Sequence, residues 1–209
     1  MSSDGAPIGV GVLGFGTVGS GVYRMLQDNA EAISSKAGAT FEVKQIAVRD
    51  LSKHREAPSN LVTDDPWQVV NRPDVQVVLE LIGGLEPAAE LVEAALKNGK
   101  NVVTANKELI AKHGSRLVQL ARSRSLDLHY EAAVGGGIPI VQPLKHQLAG
   151  NDVLKMMGIL NGTTNYILTK MAQGDADYDQ ALAEAQANGY AEADPKEFAS
   201  KMSLKRISL

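Results

Sequence analysis

Residues 12–22 read VLGFGTVGSGV and contain the glycine pattern Gly14-Phe15-Gly16-Thr17-Val18-Gly19. The apolar run Ile8–Leu13 before it predicts a strand, and the periodicity of Thr17–Asp28 after it predicts a helix. In such a turn the first glycine permits the tight bend, the second lets the backbone approach a pyrophosphate, and the third lets the helix pack on the strand. The helix N-terminus then offers free N–H groups to phosphates. The stretch therefore predicts a dinucleotide-binding loop, with a glycine-rich structural turn as the alternative.

Short apolar runs and longer helical patterns continue to alternate through the first two thirds of the chain. Further strands are predicted at 41–48, 75–82, 101–104 and 126–130, and helices at 87–98 and 107–124. Alternation of this kind implies right-handed βαβ units and a parallel sheet. We therefore predict an α/β fold with a Rossmann-type parallel sheet in a dinucleotide-binding domain of residues 1–130.

The pattern changes after Tyr130, where AAVGGGIP makes a glycine-rich break. A helix is predicted at 140–148, a strand at 153–160, a helix from Asn161 and another helix at 177–188 with Gly189 as its stop. We place a domain boundary near residue 131 and predict that residues 131–209 form an incomplete α+β substrate domain.

The composition excludes several classes of function. The chain of 209 residues carries a formal charge of −3, which argues against a nucleic-acid surface built on bulk charge. It has no cysteine, so it has no disulfides, thiolate zinc sites or catalytic thiol. No run approaches the roughly 18 apolar residues of a membrane span, and the N-terminal MSSDGAP lacks the features of a signal peptide. We expect a cytoplasmic protein that binds neither nucleic acid nor membranes.

The second predicted strand ends in Val48-Arg49-Asp50, at the position where a dinucleotide-binding fold contacts the adenosine ribose. Asp50 would favour NAD, whereas Arg49, with Lys53 behind it, could accept the additional phosphate of NADP. Both charges could instead belong to a solvated loop. We favour NADP over NAD.

Four further stretches carry a resemblance to a known family. They are TANK at 104–107, YEAAVGGGIPIVQPL from Tyr130, LAGNDVLKMMGILNGTTNYIL from Leu148 and GYAEADP from Gly189. Together with the glycine loop, the chain resembles homoserine dehydrogenase over residues 8–195. The resemblance implies an NAD(P)-dependent interconversion of L-homoserine and L-aspartate 4-semialdehyde, a step in threonine, methionine and isoleucine biosynthesis. It also implies a homodimer, which we consider doubtful for this chain.

Lys107 is the residue expected to act in catalysis and to contact the cofactor. It follows a parallel strand at the end where α/β sheets bind ligands. An ammonium group there can hold the substrate oxygen and steady charge as the hydride moves. The alternative is a surface lysine that opens a helix, but a cation is unfavourable at a helix N-terminus. Asn106 is predicted to cap that helix.

The resemblance implies two further sites. A monovalent cation such as sodium would be held by backbone carbonyls near Glu131, Val134, Gly136 and Ile138; the alternative is a turn between domains. Glu192 would bind the amino group of the substrate, because a carboxylate is the natural partner of an ammonium group. Residues 161–164 (NGTT) are expected to begin a helix facing the cleft, and Asn161 or Thr163 could equally serve as its cap.

The residues after GYAEADP depart from the family pattern. The family continues with Gly-x-Asp-Ala-x-x-Lys, whose lysine is the usual candidate for proton transfer, but here Ser203 and Ile207 occupy the Asp and Lys positions. We read residues 196–209 as an atypical tail, from a frameshift or premature stop, with a genuine variant C-terminus as the alternative. We expect this chain to have little or no activity. The alternative is a non-catalytic dinucleotide-binding fragment. A third possibility is another two-domain NAD(P) enzyme acting on a semialdehyde, and the lack of cysteine excludes its thioester forms.

Overall fold

A parallel β-sheet in the order β3-β2-β1-β4-β5-β6 forms the centre of the first part of the chain in a computed structural model. The structure describes residues 5–53, 56–156 and 162–188. Within these ranges the sheet has six strands: β1 Ile8–Leu13, β2 Phe41–Ala47, β3 Val62–Thr63, β4 Val77–Glu80, β5 Asn101–Thr104 and β6 Leu128–His129. Every neighbouring pair is parallel, which confirms the predicted α/β fold.

The order of the strands determines where a ligand can bind. The chain moves outward from β1 through β2 to β3, then returns to the other side of β1 and continues outward through β4, β5 and β6. At the carboxyl ends of β1 and β4 the connecting segments leave in opposite directions. In open α/β sheets ligands bind in the crevice that this reversal opens.

The helices α1 Thr17–Asp28, α2 Ala30–Ala37, α3 Pro66–Asn71, α4 Ala88–Lys97 and α5 Lys107–Ser123 connect these strands. Val12 and Leu13 are consecutive in β1 and belong to different buried clusters, because successive side chains of a strand point to opposite faces. Leu91 and Leu109 pack in the same cluster as Leu13 and are fully buried. Each such leucine contributes about 1.5–3 kcal/mol by its burial, so both faces of the sheet are apolar cores.

The predicted elements of this region are present, with some differences in length. β5 has the predicted bounds, and α5 ends one residue before the predicted bound. β4 and β6 are shorter than the predicted 75–82 and 126–130. α2, β3 and α3 were not predicted from the sequence, although a local signal marks each of the two helices. Gly38 ends α2 in a left-handed conformation (φ 70°), and Asp65 caps α3 by accepting a hydrogen bond from the Trp67 N–H.

The chain divides into two compact units, Met1–Leu144 and Lys145–Leu209. The domain boundary near residue 131 stays a prediction. The segment 141–147 is helical and ends in a π-helical turn, Pro143–Gln147, so the helix predicted at 140–148 is confirmed.

The described part of the second unit contains the helices α6 Gly162–Gln173 and α7 Tyr178–Ala187. They pack around Ile167, Ala181 and Ala185, and Asp177 caps α7 with a capping box. Both helices were predicted. The strand predicted at 153–160 is wrong for 153–156, where Leu154 is 95% exposed and so cannot supply a buried strand face. Residues 157–160 lie outside the described residues.

Helices long and apolar enough to cross a membrane do not occur within the described ranges.

Candidate functional site

The glycine loop lies at the carboxyl end of β1, where two of its glycines are required by packing. Gly14 has a φ of +99°, and a Cβ on it would lie 2.7 Å from the carbonyl oxygen of Leu81. Gly19 is buried in α1, and a Cβ there would collide with the carbonyl oxygen of Gly14. Both positions therefore exclude larger side chains for structural reasons.

Gly16 is different, because the described part of the chain does not restrict it sterically. A Cβ on Gly16 would have no atom of the described residues within 4 Å, its own residue and its chain neighbours aside. Gly16 is the N-cap of α1; no side chain caps this helix, and its first turn carries no acidic residue. The N–H groups of a first helical turn lack partners within the helix. The backbone from Gly16 through the exposed Thr17 and Val18 therefore offers donors and space to an anionic group.

Phe15, the remaining predicted loop residue, directs its ring into the apolar core. The ring meets Tyr23 edge-on, with centroids 5.7 Å apart, and packs against the cluster that contains Val12. Phe15 thereby anchors the loop on the sheet and leaves its open side to the backbone. The residues fit a dinucleotide pyrophosphate, since the uncapped helix supplies the donors and Gly16 the room for close approach.

The carboxyl end of β2 carries the two residues predicted to select the cofactor. Arg49 is exposed. Asp50 is half-buried, and its carboxylate accepts hydrogen bonds from the backbone N–H of Ser52 at 2.9 Å and from the Ser52 hydroxyl at 2.6 Å. The aspartate thus stabilises its own turn, whereas Arg49 is available on the surface.

A buried carboxylate that was not predicted from the sequence lies at the carboxyl end of β4. Glu80 is fully buried and accepts hydrogen bonds from the Thr104 hydroxyl at 2.5 Å and the Ile82 N–H at 3.0 Å. The Gly83 N–H and the side-chain amide of Asn106 lie within 3.4 Å of the same carboxylate. A lone glutamate within the apolar run VVLELIGG was the available signal, since a charge is seldom buried without a specific arrangement of partners.

Asn106 connects this cluster to the start of α5. Its side-chain oxygen accepts a hydrogen bond from the Leu109 N–H at 3.1 Å, which confirms the predicted cap. Its side-chain amide donates to the carbonyl of Gly84 at 2.6 Å. Lys107 follows as the first residue of α5 and is exposed. The structure therefore places Lys107 at the carboxyl edge of the sheet, and its catalytic role stays a prediction.

The glycine-rich turn after β6 contains the predicted cation ligands. Glu131 begins a 3₁₀ turn, and its carbonyl accepts a hydrogen bond from the Val134 N–H at 3.0 Å. Gly135 and Gly136 have φ values of 71° and 63°, and Ile138 is 54% exposed. A carbonyl oxygen has two lone pairs, so one hydrogen bond does not prevent it from binding a cation. The cation site stays a prediction.

The side chain of Glu131 has a role that the sequence did not reveal. Its carboxylate accepts hydrogen bonds from the backbone N–H groups of Ile140 at 2.6 Å, Val141 at 2.9 Å and Gln142 at 2.7 Å. It therefore closes the glycine-rich turn by capping the helical segment that follows. In the described part of the chain, no group of three or more His, Cys, Asp or Glu side chains could hold a metal.

Lys100 provides the counterpart of Glu80 at the opposite, amino-terminal edge of the sheet. It immediately precedes β5, is 4% exposed, and donates to the carbonyls of Arg72 at 2.6 Å and Val75 at 2.7 Å. Burial lowers the pKa of Lys100, and the nearby Asp74 partly opposes that shift. Lys100 holds the end of α3 and lies at the edge away from the glycine loop.

Glu192 and residues 196–209 lie outside the described residues, as does Asn161. Their predicted roles and the predicted tail stay predictions.

Comparison with known proteins identifies a family over most of the chain. Residues 14–131 match a family model described as "Homoserine dehydrogenase, NAD binding domain", and residues 139–197 match one described as "Homoserine dehydrogenase". The homoserine dehydrogenase of Mycobacterium tuberculosis is 48% identical over 195 residues, which are 93% of this chain and 44% of the relative. That of Bacillus subtilis is 46% identical over 190 residues, 90% of this chain and 44% of the relative.

Solved structures of similar proteins share the fold. A homoserine dehydrogenase from Thiobacillus denitrificans matches with a TM-score of 0.85 and 48% identity, covering 91% of this chain and 44% of that one. A hyperthermophilic archaeal homoserine dehydrogenase in complex with NADPH matches with a TM-score of 0.74 and 25% identity, covering 92% and 64%. The chain spans 44% of the length of the two curated relatives above.

Proposed function

The chain belongs to the homoserine dehydrogenase family, and we propose on that premise that the protein interconverts L-homoserine and L-aspartate 4-semialdehyde with NAD(P). The observation that carries the proposal is the open, uncapped glycine loop at the reversal point of the sheet. A small-molecule substrate and a place in threonine, methionine and isoleucine biosynthesis follow from this reaction. A cytoplasmic location is part of the same proposal.

The chemistry requires a site for the cofactor beside a site for the alcohol. A bound nicotinamide would supply the acceptor for the hydride of the alcohol carbon, and the hydroxyl proton would leave to a base or to water, so that alcohol and oxidised cofactor would become aldehyde and reduced cofactor. The first turn of α1, from Gly16 to Val18, would bind the pyrophosphate by its N–H groups. Gly14 and Gly19 act indirectly, since they allow the loop and helix to lie close to β1 and β4.

NADP is the proposed cofactor. The exposed Arg49 follows the strand whose carboxyl end binds the adenosine ribose in such folds, and guanidinium groups bind phosphate in a bidentate manner. Asp50 supports this choice, because its carboxylate already accepts two hydrogen bonds from Ser52. An aspartate engaged in this way is less able to bind the free ribose hydroxyl of NAD.

Lys107 is proposed as the residue that binds the substrate oxygen. Three properties support that role: Lys107 is exposed, it begins α5 at the carboxyl edge of the sheet, and the cap made by Asn106 fixes its backbone. Its ammonium group would stabilise the alkoxide character that develops on the oxygen as the hydride leaves. The proposals for Glu192 as the partner of the substrate amino group, and for a cation at the 131–138 turn, rest on the family resemblance.

The test combines a binding titration with a turnover assay on the purified 209-residue chain. NADPH binding is followed by the fluorescence of its nicotinamide, and turnover by NADP-linked oxidation of L-homoserine, with Lys107→Met as the comparison. Binding with turnover that Lys107→Met lowers by about 10²–10³-fold supports the dehydrogenase and overturns the expectation of little or no activity for this chain. Binding without turnover agrees with that expectation and also with a non-catalytic dinucleotide-binding fragment. A chain that does not bind NADPH refutes the proposal.

A further inference from the structure

Glu80 has an ionisable side chain but lies in the interior of the protein, at a strand position where an apolar residue is expected. It is 0% exposed, and its carboxylate receives hydrogen bonds from the Thr104 hydroxyl, the Asn106 amide and the N–H groups of Ile82 and Gly83. Burying a carboxylate is unfavourable unless its oxygens are well satisfied. Two backbone N–H groups and two side chains all donate to this one carboxylate. Hydrogen bonds, as well as packing, therefore determine where Glu80 lies.

The carboxylate joins the segments that follow two adjacent strands. Ile82 and Gly83 belong to the segment after β4. Thr104 is the last residue of β5, and Asn106 is the N-cap of α5. A backbone bond from the Ala105 N–H to the Glu80 carbonyl, at 3.2 Å, reinforces the same connection. These segments therefore cannot shift relative to each other without breaking hydrogen bonds to Glu80.

Each joined segment supports a part of the proposed site. The residue after Glu80 is Leu81, whose carbonyl oxygen would lie 2.7 Å from a Cβ on Gly14, so this backbone directly limits the position of the glycine loop. On the other side, Asn106 caps α5 and so sets the position of Lys107. One buried group thus connects the support of the glycine loop with the start of the helix that carries Lys107.

The topology shows which half of the cofactor this connection would serve. A dinucleotide fold consists of two mononucleotide-binding halves, and the residue after the second strand reads the adenosine ribose. The half formed by β1, β2 and β3 therefore takes the adenosine end, and the half formed by β4, β5 and β6 takes the nicotinamide end. Glu80, Thr104 and Asn106 all lie in the second half.

We infer that Glu80 is a positioning residue for the nicotinamide half of the cofactor site, acting through the backbone of 82–84 and the Asn106 cap. This inference rests on the proposed function. Glu80 is buried beneath these segments, so it acts without touching a ligand. Its effect should appear with ligands that contain the nicotinamide and be absent with ligands that contain only the adenosine half.

The experiment compares Kd values for NADPH and for adenosine 2′,5′-bisphosphate, which lacks the nicotinamide. Glu80→Gln keeps the shape of the side chain but replaces one acceptor oxygen by a donor. We expect its Kd for NADPH to rise about 5- to 10-fold, the factor that corresponds to about one hydrogen bond. Its Kd for the bisphosphate should stay within about twofold, and the fluorescence gain of bound NADPH should fall because the nicotinamide is held less tightly.

A second pair of variants keeps the test valid if Glu80→Gln fails to fold. Thr104→Val removes the hydroxyl that donates to Glu80 and accepts from the Asn106 N–H at 3.0 Å. It should raise the ratio of the Kd for NADPH to the Kd for the bisphosphate, as Glu80→Gln does. Thr104→Ser, which keeps a hydroxyl, should leave that ratio at the wild-type value. Lys100→Met is the matched control, because it removes a buried charge at the opposite edge of the sheet and should lower stability without changing that ratio.

The outcomes separate the inference from the proposed function. Equal changes in the two Kd values, or no change in either, would show that Glu80 serves the fold alone and would overturn the inference. A changed ratio in Lys100→Met would overturn it as well, since any buried charge would then have the same effect. A wild-type chain that binds the bisphosphate and NADPH equally weakly would refute the proposed function, and this inference with it.

Discussion

The open space at Gly16 leads to a prediction about two glycines of the same helix. Gly16→Ala should weaken NADPH binding strongly, whereas Gly21→Ala should leave it unchanged. Apart from chain neighbours and the backbone of α1 itself, no atom of the described residues lies within 4 Å of the position that a Cβ would take on either glycine. Gly16 is the N-cap of α1 with φ −85° and ψ −155°, and Gly21 lies inside the same helix, beyond the first turn.

The magnitudes follow from what each methyl group would meet. At Gly16 the negative φ is open to alanine, so the cost to folding is the difference between the two residues as caps, below about 1 kcal/mol. The methyl group would fill the space through which a phosphate approaches the first-turn N–H groups. Losing one hydrogen bond to a charged group costs about 1.5–3 kcal/mol, which raises the Kd about 10- to 150-fold.

The control acts in the opposite direction on stability. Gly21→Ala should stabilise the helix by about 1 kcal/mol, because alanine has the higher helix propensity. The assay is a fluorescence titration of NADPH, with urea unfolding of each variant to confirm that the fold is retained. Comparable weakening by the two substitutions, or an unchanged Kd for Gly16→Ala, would contradict the assignment of the first turn of α1 as the pyrophosphate site.

Three other predictions concern separate features. Arg49→Ala should raise the Kd for NADPH about 10- to 150-fold, because a phosphate contact is lost, and should leave the Kd for NADH unchanged. Equal changes in the two Kd values, measured in parallel titrations, would refute the NADP assignment. Glu131→Ala should lower the free energy of unfolding by about 2–3 kcal/mol, because three N–H groups lose their acceptor. Urea denaturation checks this against the exposed Glu90→Ala, for which a loss below about 1 kcal/mol is expected. Hydrogen bonds from Lys97 and Arg116 hold the pKa of Glu93 below its ordinary value, so its stabilising contribution is present above that value and lost as the pH falls through the lowered pKa. Urea midpoints over this acidic range should therefore fall more steeply for the wild type than for Glu93→Gln, and parallel pH profiles would contradict the assignment.

The strand, turn and helix around the glycine loop could be predicted from the sequence because the constraints on them are local. A glycine at the end of β1, one at the N-cap and one in the first turns of α1 act within six residues of each other. The cap at Asn106 and the capping box at Asp177 are local in the same sense, and both occur in the structure. The short β3 and α3 escaped prediction because two- and six-residue elements carry too little periodicity.

The sequence by itself determined the α/β class, the position of the dinucleotide loop and the family, since these depend on periodicity and on motifs of a few residues. Tertiary structure alone decided which polar groups meet at the carboxyl edge of the sheet. Glu80 and Thr104 are separated by 24 positions and lie on adjacent strands, so their 2.5 Å hydrogen bond exists only because β4 pairs with β5. The same holds for Glu131, whose carboxylate reaches N–H groups up to 11 residues away only after the glycines reverse the chain. Local preferences act over a few residues, whereas strand pairing and chain reversal bring distant donors to a buried acceptor.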